Sequence, residues 1–205
     1  MRVIKDRLEI IKKHIEGKSV LDMGCIDHNA MKEQEEFWLH RFIKENSKYV
    51  LGVDIDAEQA EKLKEKGYEI VCADVVTMDL KKRFDVAVAG ELIEHLSNPG
   101  LFLFNTKRHL KDDGKIILTT PNVFALRRLV RLKLGMKIQS NPEHCCWYDH
   151  DTLKTLLERH HLKIIESYYF LDPHHSKVKY FFELIAAKLN HRLSPYMIFV
   201  AEKNE

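Results

Sequence analysis

The chain has 205 residues, 45% of them apolar and 31% charged, with a formal net charge of +2. That length accommodates one domain with a sizeable core, and the apolar share excludes a disordered chain. The near-neutral charge argues against a nucleic-acid binder, and no apolar run approaches the ~20 residues that a membrane span requires.

Ile4, Leu8, Ile11 and Ile15 recur at helical spacing among charges. They predict an amphipathic first helix, stopped near Gly17, that packs on the sheet edge or the mouth of a ligand site. A buried strand follows from Ser19 to Asp22 and runs into Gly24-Cys25. A long crossover then carries a helix from Met31 to Asn46, with the i,i+4 apolar pairs Trp38/Phe42 and Leu39/Ile43. Tyr49-Val50-Leu51-Gly52-Val53-Asp54 is the second strand, and Ala57, Ala60 and Leu63 mark the next helix, ended by Gly67. Strands follow at Glu69 to Cys72 and at Phe84 to Ala89, the latter nearly all apolar, as a central strand should be.

Asn98 as cap and Pro99 at the first turn begin a helix carrying Leu101, Phe104 and Leu110. Asp113-Gly114 turns into a strand over Lys115–Thr120, ended by Pro121. Residues 122–148 break the alternation: Phe124 to Gly135 is helical in pattern and basic, and a loop through Ser140-Asn141-Pro142 follows. Asp149 caps a helix burying Leu153, Leu156 and Leu157. The chain closes with a strand from Leu162 to Tyr169, an amphipathic helix from Tyr180 to Leu193 through Phe181, Leu184, Ile185 and Leu189, and a last strand from Met197 to Ala201. Seven strands alternating with helices predict an α/β fold, a three-layer α/β/α sandwich on a Rossmann-like, mostly parallel sheet.

Asp22 and Asp54 end adjacent strands of this scheme. Ligands of doubly wound sheets bind at the carboxyl ends of the strands, where an acid can accept hydrogen bonds from both hydroxyls of a ribose. Gly24 permits a positive φ and a close backbone approach. Together these features point to a nucleoside-containing cofactor.

In this order, Asp22-Met23-Gly24-Cys25, Gly52-Val53-Asp54, Ala73-Asp74 and Glu91-Leu92-Ile93-Glu94-His95 resemble the motifs of the class I S-adenosylmethionine-dependent methyltransferases, over nearly the whole chain. The resemblance implies an antiparallel last strand and S-adenosyl-L-methionine as cofactor. It implies that Asp22, Gly24 and Cys25 face the methionine part of the cofactor and that Asp54 holds the ribose. Ile55 would pack on the adenine, with Asp74 and the Val75 backbone at its edge. Ala89, Gly90 and Glu91 would lie below the sulfonium. Ile26-Asp27-His28-Asn29 stands where the family usually has further glycine, which makes His28 a candidate cofactor contact. Enzymes of this class that methylate DNA-base amino groups carry Asp or Asn, two prolines and an aromatic after the fourth strand; Ala89-Gly90-Glu91-Leu92 excludes that type.

On the acceptor side, His95 is a candidate general base, because an unperturbed imidazole titrates near neutrality; its alternative role is to brace the following loop. His144, Tyr148, Arg127 and Arg128 are candidate substrate contacts, and residues 122–148 would form a lid inserted into a single domain spanning 1–205. The basic segment suits an anionic or lipid-linked acceptor, a membrane surface, or simply a solvated face. His144-Cys145-Cys146 lacks the spacing of a metal site, so no metal is expected. With Cys25 and Cys72 these cysteines show no paired spacing, and Met1-Arg2-Val3-Ile4-Lys5-Asp6 is not a signal peptide, so the expected compartment is cytoplasmic. The reading is therefore a small-molecule methyltransferase. Its alternatives are a non-catalytic S-adenosylmethionine-binding module or partner subunit and an RNA-directed methyltransferase.

Overall fold

A computed structural model describes residues 2–26, 38–138, 141–172 and 177–204. Eight strands form one sheet: β1 (Arg2–Ile4), β2 (Ser19–Met23), β3 (Tyr49–Asp54), β4 (Ile70–Cys72), β5 (Phe84–Gly90), β6 (Leu110–Pro121), β7 (Leu162–Phe170) and β8 (Tyr196–Lys203). Their order is β1-β7-β8-β6-β5-β2-β3-β4. All pairings are parallel except those of β8, which runs antiparallel to both β6 and β7. The helices are α1 (Arg7–Ile15), α2 (Leu39–Asn46), α3 (Ala57–Glu65), α4 (Pro99–Arg108), α5 (Leu126–Lys133), α6 (His150–Arg159) and α7 (Lys177–Leu189).

Alternation along the strands divides the core into two layers. Leu21, Ala87, Ile116 and Leu118 face one side, where Phe102 and Leu103 of α4 and Leu153 and Leu157 of α6 cover them. Val20, Val86, Val88 and Ile117 face the other side, under Ile11 and Ile15 of α1 and Ile43 of α2. This period-two division makes the three layers. The chain runs outward from β2 through β3 to β4, then returns to β5 on the other side of β2. That reversal opens a crevice at the carboxyl ends of β2 and β5.

The sheet has eight strands where seven were expected. Ile4 belongs not to the first helix but to β1, paired with Phe170. Asp6 then stops the strand and starts α1, its carboxylate accepting a hydrogen bond from the Leu8 N–H at 2.9 Å. Asp113-Gly114 lies inside β6 rather than before it. The β5 pairing jumps from Phe84–Leu110 to Val86–Lys115, so the intervening residues bulge out of the ladder.

Two helices present other faces than periodicity suggested. In α4, Phe102 and Leu103 are buried while Leu101 and Phe104 are exposed, and Leu110 lies in β6. The run Leu101-Phe102-Leu103-Phe104 is apolar all round, so spacing alone does not select a face. In α7, Glu183, Ala186 and Ala187 are buried while Phe181, Ile185 and Leu189 are exposed. The first part of the predicted Met31–Asn46 helix, and His28, lie outside the described residues.

Candidate functional site

The carboxyl ends of β2 to β5 open on a cavity of about 920 Å³. Its floor is the turn after β2. Gly24 adopts φ +69° and donates its N–H to the Val53 carbonyl at 2.8 Å. Asp22, only 2% exposed, is the penultimate residue of β2 beneath it and meets His40 Nδ1 at 2.8 Å. His40 is fully buried at the start of α2, with Trp38 and Tyr68 around its ring. Trp38 Nε1 donates to the Cys25 carbonyl at 2.9 Å, which fastens this helix to the turn. Gly52 makes the arrangement possible: a Cβ there would stand 2.7 Å from Cys25 Sγ and 2.9 Å from His40 Cε1. Burial, and then the charges of Asp22 and Asp54, push the Cys25 thiol well up, so it behaves as a packing group and not as a nucleophile.

Asp54 is 8% exposed at the end of β3. One carboxylate oxygen accepts the Ile26 N–H at 2.8 Å and the other the Asp56 N–H at 3.1 Å. Burial raises its pKa, and these backbone donors oppose the rise. Each oxygen keeps a second lone-pair direction for another donor. Asp56, and not Asp54, caps α3, accepting the Gln59 N–H. Beside Asp54, Ile55 is 74% exposed on the cavity wall. Asp74 is exposed beyond β4 and accepts the Val76 N–H at 2.8 Å. Val75 is buried, its carbonyl accepting a hydrogen bond from Asn105.

Gly90 ends β5 and Glu91 turns the chain in a left-handed conformation, φ +55°. A side chain in that region costs about 1–3 kcal/mol of backbone strain. The Thr119 carbonyl and Oγ1, both 3.1 Å from the Glu91 N–H, hold it there. Arg7 of α1 donates to the same Thr119 hydroxyl and stands 3.8 Å from the Glu91 carboxylate. Burial raises the Glu91 carboxyl and Arg7 opposes it.

A short 3₁₀ turn, Ile93–His95, follows. Glu94 is 2% exposed; one oxygen accepts from Thr120 Oγ1 at 3.0 Å and the other makes no hydrogen bond among the described residues. Burial, and then the charge of Glu91, push its carboxyl up to about 8. The His95 and His144 rings meet edge to face at 4.6 Å. Burial, and then His95, hold the His144 imidazole below its ordinary pKa. Arg128 is buried, donates to the Asn122 carbonyl at 2.6 Å and lies 5.3 Å from the Trp147 ring centre.

The cavity wall thus gathers Asp22, Gly24, Cys25, Asp54, Ile55, Asp74, Val75, Gly90, Glu91, His95, Arg127, Arg128 and His144 from the sequence-based set. Ala89 lies inside β5 in the core instead. Tyr148 is also core: it is 7% exposed, burial raises its phenol, and its backbone bridges Asn122 rather than lining the cavity. Arg7, Trp38, His40 and Tyr196 line the wall without having been named as site candidates, and Glu94, part of the Glu91–His95 motif, lines it as well. For Arg7 a signal existed, since α1 was expected at the mouth of the site. For His40 none did, because no spacing rule joins it to Asp22.

A family model described as a methyltransferase domain matches residues 2–167. The chain is 33% identical to (S)-coclaurine N-methyltransferase of Papaver somniferum over 104 residues, covering 50% of this chain and 29% of the relative. It is 34% identical to a ubiquinone biosynthesis O-methyltransferase of Bradyrhizobium sp. (strain ORS 278) over 79 residues, covering 36% and 31%. The chain therefore spans only about a third of the length of these relatives. Among solved structures, an S-adenosylmethionine-dependent methyltransferase from Mesorhizobium loti superposes with a TM-score of 0.65 at 15% identity, over 96% of this chain and 95% of that one. The 1,6-didemethyltoxoflavin-N1-methyltransferase of Burkholderia thailandensis, solved with S-adenosylhomocysteine, gives 0.59 at 17% identity, over 97% and 76%.

Proposed function

The chain belongs to the class I S-adenosylmethionine-dependent methyltransferases, and we propose that it transfers the methyl of S-adenosylmethionine to an oxygen, nitrogen or carbon of a small-molecule acceptor. The observation that carries this reading is the convergence of Asp22 and Asp54, from adjacent strand ends, on one cavity beside a left-handed Gly24. Asp54 takes the ribose hydroxyls on its remaining lone pairs. The Gly24-Cys25 turn, set by Asp22, receives the methionine part, Ile55 covers the adenine, and Asp74 with the Val75 backbone meets its edge. Gly90 and Glu91 flank the sulfonium.

The acceptor enters between His95, His144, Arg127 and Arg128, under a lid formed by residues 122–148 of the single domain. There an electron pair of the acceptor atom attacks the methyl carbon in line as the carbon–sulfur bond breaks and leaves its electron pair on sulfur, and a proton carried by the acceptor atom leaves to solvent. Holding the two reactants in that alignment is the protein's main contribution, worth several kcal/mol. The two curated relatives are named for N- and O-methylation, and both acceptor classes fit.

A lipid-linked or membrane-bound acceptor is the finer reading. It is supported by the exposed apolar residues Phe181, Phe182, Ile185 and Leu189 of α7, whose buried Glu183 feels the charge of Arg127 of α5. No helix among the described residues is long and apolar enough to cross a membrane, so such contact would be peripheral.

Calorimetry with S-adenosylmethionine and S-adenosylhomocysteine tests the cofactor. Asp54→Ala weakens binding at least tenfold, about 1.4 kcal/mol, the scale of hydrogen bonds to a charged group. Unchanged affinity in a folded variant removes the ribose assignment. Turnover on screened acceptors separates an enzyme from a non-catalytic module, and salt-dependent RNA binding would favour a nucleic-acid substrate instead.

A further inference from the structure

Glu94, His95 and His144 come from two segments fifty residues apart, yet the fold clamps them together. The backbone N–H groups of Cys145 and Cys146 both donate to the Glu94 carbonyl, at 2.8 and 3.0 Å, so the loop before α6 is tied directly to the 3₁₀ turn after β5. One carboxylate oxygen and two imidazole nitrogens then lie within 4.8 Å of one another on the cavity wall. Ligands about 2.0–2.2 Å from a shared cation stand roughly 3–4 Å apart. Small side-chain rotations bring these three atoms into that range.

From this cluster the geometry points to a binding site for a first-row divalent transition-metal ion, held by Glu94, His95 and His144. A second observation points the same way. Glu94 is 98% buried by its 2% exposure, and its Oε1 makes no hydrogen bond among the described residues. Glu91, three residues away, adds a like charge, and its own Oε1 likewise makes no hydrogen bond among the described residues and stands 3.8 Å from the Arg7 guanidinium. Arg128 adds positive charge, but its Nη1 is committed to the Asn122 carbonyl. A buried carboxylate oxygen left in this state is costly. A bound cation supplies the missing counter-charge and reverses the local electrostatics.

Two imidazoles with one carboxylate suit zinc, manganese, iron or cobalt better than calcium or magnesium, which prefer all-oxygen shells. Three protein ligands leave further coordination positions on the cavity side. An acceptor oxygen bound there would be acidified and aimed at the methyl group. That last role rests on the proposed methyl transfer; the metal site itself does not.

The test uses tag-free protein, stripped with chelator and titrated with Co²⁺ while visible absorption is followed, with calorimetry of S-adenosylmethionine on the same samples. The expected result is one Co²⁺ per chain, displaced by Zn²⁺ and weakened at least about tenfold in both Glu94→Gln and His144→Ala. His144 sits half-buried on the rim, so His144→Ala decides the matter if Glu94→Gln loses its fold. No stoichiometric Co²⁺ binding, or equal affinity in the folded variants, overturns the site. Failure of the wild-type protein to bind S-adenosylmethionine overturns the proposed function and leaves the metal result standing.

Discussion

The Asp22–His40 contact makes a prediction whose size follows from its burial. His40 is fully buried, Asp22 is 2% exposed, and the two meet at 2.8 Å. His40→Leu removes the ring that faces Asp22 and leaves a side chain of comparable bulk, so the main loss is that of the carboxylate's partner. A hydrogen bond to a charged group contributes about 1.5–3 kcal/mol, and leaving a buried charge without its partner costs about 3–5 kcal/mol. A loss of about 3 kcal/mol lowers the melting temperature of a chain this size by roughly 6–12 °C. Thermal and denaturant unfolding measure it. The same variant weakens S-adenosylmethionine binding by calorimetry, because Asp22 lies beneath the Gly24 turn. The decisive sample is the double variant Asp22→Leu with His40→Leu. Replacing both polar partners by apolar groups should cost clearly less than the sum of the two single losses. Additive losses, or an unshifted melting temperature in His40→Leu, would refute the view that this pair organises the floor of the site.

Two further outcomes concern the scaffold and the surface. Asp85 accepts hydrogen bonds from the Ser19 N–H at 2.8 Å and from Lys111 Nζ at 2.8 Å; burial pushes its pKa up, but these bonds outweigh it and hold the carboxyl well below the usual range. With the folded pKa depressed below an unfolded value of about 3.9, the stabilisation is present above that pH and lost as pH falls through the folded value. Asp85→Asn therefore melts lower than wild type at pH 7, the gap closes toward pH 2, and a gap independent of pH would contradict it. On α7, Phe181→Ser with Phe182→Ser reduces co-sedimentation with anionic vesicles and leaves S-adenosylmethionine affinity unchanged; absence of vesicle binding in the wild type removes the membrane reading.

Features with a local cause were legible in the sequence. Asn98 caps α4 by accepting the Leu101 N–H, and Asp149 caps α6 through a capping box with Thr152, because side chain and backbone partner lie three residues apart. The acids at the ends of β2 and β3 were legible for a similar reason: each closes its own apolar run. β1 was not, because three residues make a strand only against β7, more than 160 residues later. The faces of α4 and α7 were misread where apolar residues outnumber the buried positions available. The partners of Asp22 and of the Glu94 turn were hidden because tertiary packing alone joins His40 to the first and His144 to the second.

The two arginines over the cavity bear on how its two halves are joined. Glu91 and Glu94 are both pushed toward protonation by burial, and each repels the other when charged. Arg7 opposes the effect on Glu91 from α1, and Arg128 opposes it on both from α5. Neither arginine belongs to a strand of the sheet: Arg7 lies in α1 and Arg128 in α5, and both line the cavity. The charge at the end of β5 is therefore balanced from two helices, α1 and α5. Because Arg7 also donates to Thr119, whose carbonyl and hydroxyl hold the left-handed Glu91 backbone, seating α1 fixes the conformation of the turn as well as its charge. The turn after β5 thus sets two acidic side chains against two arginines that are themselves held by hydrogen bonds, Arg7 to the Thr119 hydroxyl and Arg128 to the Asn122 carbonyl.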